Sequence, residues 1–124
     1  MKAPKLRYLR FFDEVGLDDL ALVGGKNASL GEMYRELSGR GVRVPNGFAT
    51  TADAYRLMLA ESGAGDRLAK ALDGLDPSDI ADLARRGKAA RRIVYEAGLP
   101  DQVATEILEG YARLRAEYGD DLSL

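Results

Sequence analysis

Proline and glycine divide the chain, from about residue 50 onward, into segments with helical hydrophobic spacing. Glycine tolerates the left-handed backbone that ends a helix, and proline fits the first helical turn but not the later ones. Between these breaks, apolar residues recur three and four positions apart, as on the buried face of a helix. The pattern predicts helices near residues 52–61, 65–73, 77–97 and 100–118.

The starts and faces of these helices are also predicted. Thr50 with Asp53 resembles a capping box, and Asp76 with Pro77 is a typical cap and first residue. The predicted apolar faces of the last two helices are Ile80, Leu83, Ala84, Gly87, Ala90 and Val94, then Val103, Ile107, Tyr111, Leu114 and Tyr118. Core packing, rather than base stacking, is predicted for Tyr34, Tyr55, Tyr95, Tyr111 and Tyr118.

The N-terminal part favours short extended segments around one helix. "LRYLRFFDEV" is rich in aromatic and branched residues, and "VRVPNGFATT" contains a Pro-Asn-Gly turn. We predict strands near residues 7–12, 42–44 and 47–50. A helix over 28–38 is predicted between them, with Asn27 as its N-cap and Gly39 and Gly41 after its end. The fold class is therefore α+β, a small N-terminal sheet with about five helices, and residues 1–124 contain no internal domain boundary.

Composition excludes several functions. Eighteen Lys and Arg are interspersed with twenty Asp and Glu, which argues against a basic groove for nucleic acid, and no apolar run is long enough to span a membrane. The absence of cysteine excludes disulfides and fits the cytoplasm. The absence of histidine removes the commonest general base and metal ligand. Ion pairs or solvation are predicted for Arg85, Arg86, Arg91 and Arg92, and turn or cap roles, without a metal, for Asp73, Asp76 and Asp79.

"VGGKNASLGEM" is the segment most relevant to function. It is no P-loop, because Leu20 lies where the first glycine is required and Asn27 follows the lysine in place of a hydroxyl residue. Two glycines nevertheless let a ligand approach the backbone, the next helix begins beside them, and Lys26 adds a positive charge. On physical grounds both readings stay open: a phosphate-binding turn, or a structural loop with a solvated lysine.

"VGGKNASLGEM" followed by "GVRVPNGFATTADAYRLML" resembles the N-terminus of the phosphoenolpyruvate synthase family. The related pyruvate phosphate dikinases and rifampicin phosphotransferases resemble it more loosely. Asn27-Ala28-Ser29 and Pro45-Asn46-Gly47 favour the synthase branch. The strong motifs cover roughly residues 10–63, and the helical remainder is compatible in length and pattern.

The resemblance implies one lobe of an ATP-grasp-like nucleotide-binding domain, in which Lys26 contacts ATP phosphates. The whole enzyme would convert pyruvate, ATP and water to phosphoenolpyruvate, AMP and phosphate through a phosphohistidine outside this chain. Its Mg²⁺ ligands and catalytic residues would lie outside the chain as well. "DDLSL" at the end reads like the start of another strand, so we expect an N-terminal fragment that is inactive alone.

Two alternatives remain at this stage. The chain could be the equivalent lobe of a pyruvate phosphate dikinase or a rifampicin phosphotransferase. It could also be a helical interaction module that docks on the rest of its own enzyme, or on another subunit, without a ligand of its own.

Overall fold

The computed structural model describes residues 5–123 and divides the chain into two compact units. Unit 1 contains the residues up to Ala54 together with those from Asp101 onward, and unit 2 is Tyr55–Pro100. The prediction of a chain without an internal domain boundary stays a prediction.

The elements confirm the α+β class with five helices and a small sheet. In chain order they are β1 (Leu9–Phe11), 3-10 turns at Phe12–Glu14 and Leu17–Asp19, α1 (Leu20–Ser38), β2 (Phe48–Thr50), α2 (Ala52–Ser62), α3 (Ala64–Leu72), α4 (Ile80–Ala97) and α5 (Asp101–Tyr118). The helices predicted from glycine and proline breaks are all present, with ends shifted by up to three residues.

The sheet has two strands in the described part of the chain, and the predicted strand at 42–44 is wrong. β1 and β2 are antiparallel, with Leu9 opposite Thr50 and Phe11 opposite Phe48. Residues 42–44 are irregular because the Val42 amide donates to the Leu37 carbonyl at 3.0 Å, where it closes the end of α1. Gly41 has φ of +80°, as is typical of such a helix end.

Three predicted helix starts are corrected. α1 begins at Leu20 and not at residue 28, so Asn27 lies inside the helix and is not its N-cap. α4 begins at Ile80, where the side chain of Asp79, not Asp76, accepts from the Asp82 amide at 3.0 Å. At the start of α2, the capping residue is Thr51, whose hydroxyl accepts from the Ala54 amide at 3.4 Å. The predicted capping residue, Thr50, lies one position earlier and belongs to β2.

The core of unit 1 joins the sheet to α5 and to α1. Leu6, Leu9, Phe11 and Leu114 form one buried cluster, and Val15, Val23, Ala28 and Ala49 form a second. Glu106 of α5 is hydrogen-bonded to the segment just before β1: its carboxylate accepts from the Arg7 and Tyr8 amides at 3.0 and 2.6 Å. Among the core residues predicted on α5, Val103 and Leu114 are buried and Tyr118 is 45% exposed.

Gly31 allows α1 to approach the segment after β1 closely. A Cβ built on Gly31 would lie 2.5 Å from Val15 Cγ2 and closer still to the Val15 carbonyl oxygen. Val15 itself is fully buried. The glycine is therefore required by packing, and not by its backbone conformation.

Unit 2 contains α2 from Tyr55 onward, α3 and α4, and it has little buried apolar surface. Arg86 of α4 donates to the Ala71 carbonyl in the last turn of α3 and to the Asp73 carbonyl just after it, and it pairs with Asp82 at 2.8 Å. None of the residues of α4 is buried. The predicted apolar face of this helix is thus largely exposed to solvent. The predicted core packing is wrong for Tyr95, which is 89% exposed, and it is only partial for Tyr55, which is 49% exposed.

We predict that Gly31→Ala destabilises the protein by about 1–3 kcal/mol, because the added methyl group overlaps Val15 and forces the helix to shift. Denaturant unfolding followed by circular dichroism measures the change. Gly25→Ala on the same helix is the matched control, since a Cβ there meets nothing within 4 Å and the backbone is helical. Equal free energies of unfolding for the two variants would contradict the close approach.

Candidate functional site

The Gly-Gly-Lys segment lies at a break inside α1. Gly24 has φ of +79° and ψ of +162°, and it is the one non-helical residue within Leu20–Ser38. That backbone region is accessible almost only to glycine. The residues from Gly25 onward therefore start a second helical segment, whose first N–H groups lack partners within the helix.

The break is held firmly on both sides. Val23 before it is 6% exposed, and Ala28 after it is fully buried, both in the cluster with Val15 and Ala49. The Asn27 side-chain amide spans the break by donating to the Val23 carbonyl at 2.9 Å. The turn is thus fixed by the core beneath it and needs no contacts on its outer side.

The outer side of the turn is open and positively charged. Gly24, Gly25 and Lys26 are exposed, and a Cβ on either glycine would meet no atom within 4 Å. Nothing in the described part of the chain therefore requires glycine at position 25. Lys26 has no ion pair with any residue of the described range 5–123.

These features together suit an anion. The start of a helical segment carries partial positive charge, its free N–H groups donate hydrogen bonds, and glycine leaves room for a ligand at the backbone. Lys26 adds a full charge that no carboxylate of the described residues neutralises. A phosphate group is an anion of the kind that helix starts and lysine side chains bind.

Unit 1 also has a cavity in which acidic side chains outnumber basic ones. The cavity of about 450 Å³ is lined by Asp13, Glu14 and Glu117, with Lys5 and Arg113 on its wall. Burial raises the pKa of the nearby Tyr34 phenol, and the negative charges of Glu117 and Asp13 raise it further. This cavity therefore disfavours a phosphate, and Lys26 remains the candidate.

The Pro-Asn-Gly turn has a structural role. The Gly47 carbonyl accepts from the Phe12 amide at 3.0 Å, and a Cβ on Gly47 would lie 2.6 Å from Phe12 Cε2. The Asn46 amide donates to the Tyr118 hydroxyl oxygen at 2.6 Å. The turn thus orders the start of β2 and offers no free donor at these groups.

The other charged residues also have structural partners. Arg85 and Arg86 pair with Asp82, and Arg92 pairs with Glu96 at 2.7 Å. Asp76 bonds the Ser78 amide and hydroxyl, and these two hydrogen bonds lower the pKa of its carboxyl group. Within residues 5–123, no three acidic side chains are grouped as a metal site would need, and no helix is both long and apolar enough to cross a membrane.

The sequence made Lys26 the candidate residue, which stays a prediction, but it did not show how the turn is built. It predicted a helix from residue 28 with Asn27 as the N-cap, whereas the helical segment after Gly24 already begins at Gly25. The available signal was the pair of glycines itself: Gly24 is explained by its backbone conformation, and Gly25 has no structural explanation.

Comparison with known proteins supports a nucleotide-binding family. The model of the family "Pyruvate phosphate dikinase, AMP/ATP-binding domain" matches residues 20–124. The chain is 46% identical to a phosphoenolpyruvate synthase of Neisseria meningitidis serogroup B over 112 residues, which cover 90% of this chain and 14% of the relative.

Two further relatives carry the same name. The phosphoenolpyruvate synthase of Pseudomonas aeruginosa is 47% identical over 119 residues, 96% of this chain and 15% of the relative. That of Escherichia coli is 44% identical over 107 residues, 86% of this chain and 14% of the relative. The chain thus spans about 14% of the length of these relatives, and it belongs to the pyruvate phosphate dikinase AMP/ATP-binding domain family.

Proposed function

We propose that this chain is the ATP-binding lobe of a phosphoenolpyruvate synthase. The whole enzyme would phosphorylate pyruvate with ATP and water to give phosphoenolpyruvate, AMP and phosphate, through a phosphohistidine that lies outside this chain. The observation that carries the proposal is the break at Gly24, which leaves an unpaired Lys26 beside the open start of a helical segment. The names of the relatives, 36–47% identical to this chain, support the choice of enzyme.

Lys26 would bind a phosphate of ATP and offset the negative charge that builds up during transfer. The backbone N–H groups from Gly25 onward would bind the same phosphate from the helix side. Because the segment is already fixed by Val23 and Ala28, binding would not require the turn to become ordered.

Mg²⁺ would accompany ATP in the full-length enzyme. The described residues group no acidic side chains suited to the ion, so they do not fit it, and its ligands are proposed to lie elsewhere in the polypeptide. A cytoplasmic location belongs to the same proposal. The equivalent lobe of a pyruvate phosphate dikinase or a rifampicin phosphotransferase remains the alternative within this class.

We predict that Lys26→Ala in the full-length enzyme lowers ATP-dependent kcat/KM about ten- to a hundredfold, since a hydrogen bond to a charged group contributes about 1.5–3 kcal/mol. Steady-state kinetics with varied ATP measure the loss. Lys26→Arg should recover only part of it, because a planar guanidinium does not replace a compact ammonium.

Thermal stability separates this effect from misfolding. Lys26 is exposed and unpaired in the described structure, so the melting temperature of Lys26→Ala should stay near that of the wild type. Partial reactions that involve only the histidine and pyruvate sites should also be unchanged. Wild-type ATP kinetics in Lys26→Ala would make the turn a structural loop and would favour the interaction module.

The two glycines are predicted to differ. Gly25→Ala should keep or slightly raise stability, by up to about 1 kcal/mol, because alanine favours a helix. It should nevertheless weaken ATP binding, because the added Cβ lies where the phosphate approaches the backbone. Gly24→Ala should lose about 1–3 kcal/mol of stability through backbone strain. Calorimetric ATP titration and thermal melts of both variants test this; unchanged ATP affinity in Gly25→Ala would contradict the proposed approach.

The 124-residue chain alone is expected neither to hydrolyse ATP nor to form phosphoenolpyruvate, because the remaining catalytic groups are proposed to lie elsewhere. A phosphate-release assay on the purified chain measures this. Turnover by the chain that disappears in Lys26→Ala would overturn the proposal of an incomplete site.

A further inference from the structure

Unit 2 carries an open apolar groove that the proposed ATP site does not use. The groove has a volume of about 510 Å³. Tyr95 and Tyr55, two of the residues that line it, are 89% and 49% exposed, and Leu72 is 41% exposed. Its apolar lining is Tyr55, Leu68, Leu72, Ala90, Val94 and Tyr95.

The helix that forms one wall of the groove is poorly covered for its length. α4 has no buried residue, and its Ile80 and Leu83 are 71% and 39% exposed. Helices in proteins draw most of their stability from packing of an apolar face. Unit 2 spans only residues 55–100, close to the size below which a single core rarely suffices. Unit 2 would therefore be stabilised by a protein surface that buries this apolar face at all times, rather than by one that binds it only transiently.

The charges around the groove restrict what can cover it. α4 carries five basic and two acidic side chains. Both acidic ones are engaged, Asp82 with Arg85 and Arg86, and Glu96 with Arg92. Arg91 lines the groove. It forms no ion pair with any residue of the described range. An acidic group on the covering surface would give Arg91 its partner.

A second copy of the chain is a poor cover by the same reasoning. A two-fold contact through the groove would bring α4 against α4, because a symmetric interface uses the same patch on both subunits. Arg91, which lines the groove, would then lie in one interface with the Arg91 of the second copy. Like charges facing each other across an interface are unfavourable.

We propose that the groove binds an amphipathic helix from the remaining part of the same full-length polypeptide. The helix inserts apolar side chains between Tyr55, Leu72 and Tyr95, and it offers a carboxylate to Arg91. Helix-in-groove binding uses this combination of apolar anchors and flanking charges. The inference rests on the proposed function, in which this chain is one part of a longer polypeptide; the chain spans 14% of the length of the Neisseria meningitidis relative.

Thiol labelling of the purified full-length protein tests the proposal, with the modified peptide identified by mass spectrometry. Tyr95→Cys reports on the groove, and Ala89→Cys on the exposed opposite side of α4 is the matched control. In native buffer, Tyr95→Cys should react about tenfold or more slowly than Ala89→Cys, because the covering helix must open before the reagent enters. In urea the two rates should be equal.

Two further measurements sharpen the result. Arg91→Glu should raise the native labelling rate of Tyr95→Cys, while Arg91→Lys should leave it slow, because only the former places like charges together. Hydroxyl-radical oxidation of the native Tyr95 gives the same readout without a substitution in the groove. Both measurements are independent of ATP turnover, so they can fail while the proposed function holds.

Several outcomes overturn the proposal. Equal labelling rates of Tyr95→Cys and Ala89→Cys in native buffer would mean that no helix covers the groove. Protection that disappears on dilution of the protein would assign the cover to a second copy. Protection that requires an added protein would assign it to a separate partner.

Discussion

The packing of Val15 against α1 determines where the candidate site lies. Val15 is fully buried, and Gly31 gives it room to contact the helix backbone. The same cluster holds Val23 and Ala28, the residues that flank the Gly-Gly-Lys turn. The turn can therefore keep a glycine-only backbone and an open outer face, since its geometry is imposed from the core side.

A second constraint joins the two ends of unit 1. Glu106 accepts from two amides that precede it by 99 and 98 residues, and Gly110 lets α5 lie close to the sheet, where a Cβ would be 3.1 Å from Leu9 Cδ1. Neither contact can be predicted from the spacing of apolar residues along the sequence, because each joins residues that are far apart in the chain. Together they bring β1 and α5 into the cluster of Leu9 and Leu114, and this gives the short two-stranded sheet a packed face.

The sequence predicted well those features that local chemistry determines. Glycine and proline breaks predicted α2, α3 and α5 closely. The lysine next to two glycines made Lys26 the candidate for phosphate binding, and that role stays a prediction. The start of the helix after the two glycines was misplaced, because Gly25 to Asn27 are helical despite a poor local propensity. Residues 42–44 were predicted as a strand because they precede the Pro-Asn-Gly turn in a segment that reads as extended, but the Val42 amide closes the end of α1 instead. Tyr95 was assigned to the core because periodicity identifies an apolar face without telling which surface covers it.

The open surfaces of the two units differ in the chemistry that they can satisfy. The turn at Gly24 presents N–H donors and a lysine without an apolar wall, so it suits a small anion and gives an apolar helix nothing to bury against. The groove beside Tyr95 presents apolar walls and one unpaired arginine, so a free phosphate there would find one charge and would lose much of its hydration. Each surface therefore excludes the ligand of the other. A nucleotide at Lys26 and a protein segment at the groove are compatible assignments, and neither draws support from the other.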